Sequence, residues 1–246
     1  MKNLEYQDMQ WLLRRAPKNL LTLMKEVGPN IVAAGGYVRS VIANEPINDI
    51  DLFCPTQELA KEYAEKLSGR FKIIETDNAY TVRNPGRRGF SIQFIHRWIF
   101  DKPEDCLASF DFTIACAAFW FDGEKWCSMC DDRFYADLAS KRLIYRSPIR
   151  NEDAGGSMLR VLKFYQRGYR IPVDSLGAVM ARMVSAVDFE DVALSARLNS
   201  TTREFQIAKV LTGLLREVDP NIDPTHVAHL PSQTQEEEVD EEASEK

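Results

Sequence analysis

The sequence is short of several things, and each shortage excludes something. Three histidines, His96, His226 and His229, are too few and too scattered for a histidine-built metal centre. No apolar run approaches the ~18 residues that a membrane-spanning helix needs, so no membrane partner is expected. The opening MKNLEYQDMQWLLRRAPKNL is broken by charges too early for a secretory leader, and a cytoplasmic location follows as the expectation. Five cysteines, an odd number spread over 246 residues, fit reduced thiols and not a disulfide framework. Cys127 and Cys130 form a lone CxxC with no second ligand pair nearby, so small buried thiols are expected there and not a zinc or redox site.

Charge is also scarce once its distribution is read. The formal net charge is -6, but residues 236–246, EEEVDEEASEK, carry seven acids and one lysine, so the other 235 residues balance at 30 basic and 30 acidic side chains. Such a run reads as a solvated terminus with no catalytic part. Within the balanced body one stretch is uneven. Lys141, Arg142, Arg146, Arg150, Arg160, Lys163, Arg167 and Arg170 face only Glu152 and Asp153 as acids. A stretch of that kind suits a polyphosphate or a nucleic-acid backbone, or is simply a solvated helix face.

What is present is an ordinary globular composition, 45% apolar and 28% charged. Helical spacing over residues 4–27, broken at Pro17, predicts two short helices. IVAAGG predicts a buried strand ending in a glycine turn, YVRSVIAN a helix and DIDLFCP a second strand. TQELAKEYAEKLSG is an amphipathic helix that Thr56 can cap and Gly69 can close. FKIIETDNAYTVRN and GFSIQFIHRWIF are β-rich runs joined by PGRRG, and KPEDCLASF is a short helix. DGEK between two apolar runs signals a hairpin. From about residue 132 the pattern turns helical throughout: DRFYADLASKRLIY, AGGSMLRVLKFYQRGY, DSLGAVMARMVSAV, FEDVALSARLN and TREFQIAKVLTGLLREV. Trp98, Trp120 and Trp126 are expected in the core, His96 as a structural histidine, and Tyr165 and Tyr169 as candidates for base stacking.

The chemistry concentrates in residues 33–53. On a strand, residues i and i+2 share a face, so Asp49 and Asp51 project together while Ile50 buries the other side. Two close carboxylates repel unless a cation lies between them, and a hard divalent ion suits oxygen donors: Mg²⁺, with Mn²⁺ as the other choice. Gly35 and Gly36 lack the Cβ atoms that would keep backbone N–H groups from a phosphate, and the following helix offers its N-terminal end.

GGYVRS followed by DIDLF resembles the signature of the DNA polymerase beta-like nucleotidyltransferase superfamily. More narrowly it is similar to the head of class II tRNA nucleotidyltransferases (CCA-adding enzymes) and bacterial poly(A) polymerases. FDFTIACAAF at 110–119, ADLASKRLIYR at 136–146 and NEDAGGSMLRVLKFYQRGYRI at 151–171 resemble later elements of the same family, in the same order. The resemblance implies an α+β fold: a nucleotidyltransferase head with a small mixed or antiparallel sheet and flanking helices over residues 1–146, then an all-α nucleotide- or acceptor-binding subdomain over 147–219 and an acidic tail over 220–246. It implies transfer of a nucleoside monophosphate from an NTP to a hydroxyl, with an RNA 3′ end as the favoured acceptor and a protein or small-molecule hydroxyl as the alternative. Asp49 and Asp51 would hold the metal. Asp111 would be a third carboxylate or sit near the nucleotide sugar. Gly35, Gly36, Arg39, Asp153, Arg160 and Lys163 would bind the nucleotide. The family's arginines before Asp111 are here Ser109 and Phe110, its aspartate after Arg39 is Ser40, and Gln93 stands where many members carry an acid. These departures leave open a nucleotide-binding regulatory module without catalysis.

Overall fold

Apolar residues alternate with polar ones in DIDLF and SIQFI, the pattern of strands with one face packed against helices. They form β2 (Asp49–Phe53) and β5 (Ser91–Ile95), paired in parallel with Asp49 opposite Ser91 and Asp51 opposite Gln93. On the other side of β2 runs β1 (Val32–Ala34), antiparallel, with Ala34 opposite Asp51. β3 (Ile73–Glu75), β4 (Ala79–Arg83), β6 (Ala117–Phe121) and β7 (Trp126–Cys130) complete a mixed sheet in the order β3-β4-β5-β2-β1-β6-β7. The computed structural model describes residues 1–69, 71–83, 91–148 and 155–218. The chain divides into two compact units, Met1–Pro148 and Ile149–Lys246. The PGRRG turn lies outside the described residues.

In the first unit Pro17 separates α1 (Tyr6–Arg15) from α2 (Lys18–Val27), as its missing N–H requires. α3 (Gly36–Ile42) packs on β1 and β2, and α4 (Gln57–Ser68) on β4 and β5. Thr56 caps α4 by accepting from the Leu59 N–H at 3.2 Å, and Gly69 at φ 57° ends it. One face of the central strands, Ile50, Leu52, Tyr80, Val82, Ile92 and Phe94, is buried, with the Tyr80 hydroxyl accepting from Gln57 of α4.

The opposite face changes character along its length, and this change places the site. At one end Val32, Phe53, Ala79 and Ile95 form an apolar cluster with Cys106 and Leu107 of α5 (Pro103–Ala108). At the other end the same face carries Asp49, Asp51, Ser91, Gln93, Thr81 and Arg83, half-buried or exposed. The expected DGEK hairpin joins β6 and β7. Asp122 there accepts from the N–H groups of Lys125 and Glu124, which with the Cys127 thiol hold its carboxyl down at about 2.

The helix expected over DRFYADLASKRLIY is cut to α6 (Phe134–Ala139). Lys141 turns left-handed at φ 51°, and the chain runs back so that Thr113 N–H donates to Ile144 C=O and Tyr145 bridges Phe112. The second unit comprises, among the described residues, α7 (Gly156–Gln166), α8 (Val173–Val184), α9 (Phe189–Leu198) and α10 (Arg203–Val218). A Cβ on Gly155 would stand 2.5 Å from the Leu214 carbonyl oxygen, so the glycine before α7 serves the close approach of α10.

Candidate active site

The site is assembled at the end of β1. Gly35 adopts φ 80°, ψ −125°, a conformation that a side chain resists, and its N–H donates to Ala117 C=O at 3.0 Å. A Cβ on it would meet the Phe110 ring at 3.0 and 3.2 Å. That ring fills the space beside the turn and packs edge-on against Phe53, with centroids 6.0 Å apart. Phe110, in the place of an expected arginine, therefore shapes the glycine turn by contact.

Gly36 opens toward the chemistry. The space its Cβ would take lies 3.9 Å from Arg39 Nη2 and 4.0 Å from Asp49 Oδ1. Arg39 is 6% exposed, its Nε 3.5 Å from Glu45 Oε2 and its Nη2 donating to Ser40 Oγ at 3.2 Å. Glu45 is a residue that sequence reasoning missed. The available signal was Ser40: with a hydroxyl where an acid was expected, the countercharge for a buried arginine has to come from elsewhere, and the acid before Pro46 supplies it. The Glu45 N–H donates to Ser40 C=O at 2.8 Å, which folds this acid back over the helix end.

Asp49 and Asp51 share the half-buried face of β2 around fully buried Ile50. Gln93 sits in register beside Asp51. Asp49 and Asp51 offer carboxylate oxygens, donors that suit Mg²⁺ or Mn²⁺ and not a thiophilic metal. Among the described residues no group of three or more His, Cys, Asp or Glu side chains could hold a metal ion.

Asp111 is 5% exposed and follows Phe110, while its carbonyl accepts from the Arg146 N–H at 2.8 Å. Much of the later motif similarity is structural cement. Thr113 Oγ1 donates to Asp137 Oδ2 at 2.7 Å, and Arg133 pairs with the same carboxylate at 2.9 Å. Arg146 donates to Leu107 C=O and to Cys116 Sγ. The basic run is accordingly divided: Lys141, Arg142 and Arg146 end the first unit, Arg160, Lys163, Arg167 and Arg170 belong to the second, and Arg150 is not described. Arg160 and Lys163 lie half-buried on α7; Asp153 falls outside the described residues.

Tyr169 corrects an expectation. It is fully buried, edge-on to Phe164 at 5.5 Å, because the chain leaving α7 folds back under the helix, and it is no stacking platform. Tyr165 is 57% exposed with the Arg170 guanidinium 4.5 Å above its ring. His96 is structural: Nε2 meets Thr76 C=O at 3.0 Å and the ring packs on Tyr80. Trp98 and Trp120 are partly buried against the apolar cluster, and Trp126 packs edge-on to Phe121. All five cysteines are free; burial pushes Cys54 and Cys116 up to about 12 and Cys130 to about 11, so these thiols are inert. Cys130 is buried but Cys127 only half-buried, so one of the two expected core thiols lies nearer the surface.

A family model described as Gabija anti-defense 2 family protein (Gad2) matches residues 3–141, more than half of the chain. The chain belongs to the Gabija anti-defense 2 family. The matched span contains Gly35, Gly36, Arg39, Glu45, Asp49, Asp51, Gln93 and Asp111. Among solved structures, the chain is similar to a Thermotoga maritima CCA-adding enzyme complexed with tRNA, at 16% identity and TM-score 0.53, over 91% of this chain and 58% of that one. It is similar to a CCA-adding enzyme in complex with CTP at 21% identity and TM-score 0.54, over 89% and 52% of the two chains. A complex with ATP aligns at 16% identity and TM-score 0.55, over 88% and 57%. These likenesses establish a nucleotidyltransferase-like fold. The chain spans less than two thirds of the length of those enzymes. No curated protein matches it.

Proposed function

We propose that this protein is a metal-dependent nucleotidyltransferase that moves a nucleoside monophosphate from an NTP to a hydroxyl, with an RNA 3′ end as the acceptor. One observation carries the proposal: Asp49 and Asp51 share one face of β2, and Asp49 Oδ1 borders, with Arg39, the space left by Gly36. Two carboxylates on one strand face are the oxygen donors that a hard divalent cation takes. Asp49 and Asp51 would hold the divalent ion, with Gln93 as a neutral neighbour. Arg39 and the Gly36 N–H would receive the β- and γ-phosphates, and Asp111 would lie toward the sugar. The acceptor oxygen forms a bond to the α-phosphorus as the bond from that phosphorus to the bridging oxygen breaks; pyrophosphate leaves with the electron pair and the hydroxyl proton is lost to solvent. When bound, the ion offsets charge on the transferring phosphoryl group. The complexes of similar structures with ATP, CTP and tRNA support an NTP and an RNA as partners.

Family membership favours a second acceptor. The family description, Gabija anti-defense, is compatible with a protein target in that defence, which makes a protein hydroxyl the alternative. The test is incubation with Mg²⁺, each α-labelled NTP separately, total RNA and a lysate containing the Gabija components, with Asp49→Ala/Asp51→Ala as control. Label on RNA that vanishes in the control supports the leading proposal, and label on a Gabija protein supports the second. NTP binding without transfer to either leaves a regulatory module as the function.

A further inference from the structure

The sheet order gives the site two distinguishable sides. β1 and the glycine turn flank β2 on one side, and β5 followed by β4 on the other. With the departing pyrophosphate on the Gly36–Arg39 side, in-line displacement brings the attacking hydroxyl from the opposite side. That side is the polar stretch of the same sheet face. Ser91 and Gln93 on β5 stand opposite Asp49 and Asp51, and Arg83 and Thr81 on β4 stand opposite Ser91 and Gln93. All four are half-buried or exposed, while Ile92 and Val82 between them are fully buried, which fixes the direction of the four side chains.

We infer that Ser91, Gln93, Thr81 and Arg83 form the acceptor subsite, and that Arg83 takes a backbone phosphate of the acceptor RNA. The inference rests on the RNA-acceptor proposal above. Its chemistry is graded along the face: two carboxylates for the metal, then neutral hydroxyl and amide groups suited to sugar hydroxyls, then an exposed guanidinium suited to phosphate. Arg83 is two strands from Asp49, roughly 10 Å at the usual strand spacing. The arginine side chain covers part of that separation, which suits a phosphate of the acceptor's terminal nucleotides beside the arginine with the 3′ hydroxyl at the carboxylates. A neutral Gln93 in this lane also keeps negative charge away from the approaching RNA, where a third carboxylate would repel it.

The experiment measures KM for a short RNA and for the NTP with the full chain, at several salt concentrations, for wild type, Arg83→Ala, Arg83→Lys and Lys61→Ala. Lys61 is exposed on α4, the helix that packs against the other sheet face, so its variant controls for loss of one charge. Arg83→Ala is expected to raise the RNA KM about five- to tenfold and to lower the salt slope by about one, with Arg83→Lys in between. The NTP KM should move less than about twofold, since the removed contact is to the other substrate. Thermal melting of Arg83→Ala and Arg83→Lys is read alongside, so that a loss of stability is distinguished from a loss of RNA binding. An unchanged RNA KM, an effect equal to that of Lys61→Ala, or a raised NTP KM overturns the subsite. If wild-type protein labels no RNA at all, the RNA-acceptor proposal fails first and takes the subsite with it, an outcome that wild type alone reveals.

Discussion

Adjacent glycines of this turn should respond oppositely to the same substitution. Gly35→Ala forces an L-residue into φ 80°, ψ −125°, and its methyl lands 3.0 Å from a Phe110 ring that is itself braced on Phe53. The backbone strain costs ~1–3 kcal/mol, and displacing the ring adds ~1–3 kcal/mol. Against a total stability of ~5–15 kcal/mol, the sum corresponds to a fall in Tm of about 10 °C for a chain of this size. Gly36→Ala has neither problem. Its methyl meets Arg39 Nη2 and Asp49 Oδ1 at 3.9 and 4.0 Å, ordinary contact distances, and alanine favours the helix it begins. Its Tm should stay within about 2 °C of wild type, while transfer falls ~10- to 100-fold because the methyl occupies the space assigned to substrate. Differential scanning calorimetry and labelled-nucleotide transfer on both variants read this directly. Gly35→Ala in a Phe110→Ala background isolates the steric part, since only the strain then remains. The reasoning is refuted if Gly35→Ala melts with the wild type, or if Gly36→Ala keeps full activity.

Other expectations follow from residues outside the turn. Asp137→Ala leaves the buried Thr113 hydroxyl without its acceptor and should cost ~1–3 kcal/mol, seen as a lowered Tm; Asp137→Asn keeps an acceptor oxygen and should cost less, and equal losses would count against the hydrogen bond. Iodoacetamide at pH 8 should modify Cys127 before Cys54 or Cys116, whose thiols burial pushes up to about 12, and peptide mass spectrometry gives the order. The Asp122 carboxyl should titrate at about 2 by NMR, below its ordinary 3.8, because backbone N–H groups favour its charged form. Its folded value is depressed, so its stabilisation of the hairpin is complete above 3.8 and lost as pH falls through about 2; a midpoint at 3.8 would show that the N–H contacts do not form.

Local pattern carried much of the fold. The break at Pro17, the Thr56 cap, the DGEK hairpin and the strand–turn–helix–strand order around the glycines depend on neighbours in sequence, and each was legible there. So was the shared face of Asp49 and Asp51, a consequence of strand periodicity alone. What escaped depends on contacts between distant segments. Phe110 lies 75 residues from Gly35, yet its ring defines the turn. Glu45 reaches Arg39 only because the chain folds back at Ser40. Residues 140–145 read as helix because their apolar spacing permits it, but pairing with the 111–113 segment prevails over propensity. Tyr169 looked available for stacking because it follows a basic helix, while burial under Phe164 decides otherwise. Register is likewise a tertiary fact: that Arg83, Ser91 and Asp49 lie in one row comes from strand order, which one-dimensional periodicity does not encode.

The central claim is transfer of the nucleotide's α-phosphoryl group by a site built on Asp49 and Asp51. It is tested most directly by following α- and γ-labelled forms of the same NTP in parallel, with Mg²⁺ and acceptor, in wild type and Asp49→Ala/Asp51→Ala. The account predicts that the α label becomes attached to the acceptor, that the γ label appears only in pyrophosphate, and that both signals disappear in the variant. Gamma label on the acceptor, or transfer that survives loss of both aspartates, would contradict it.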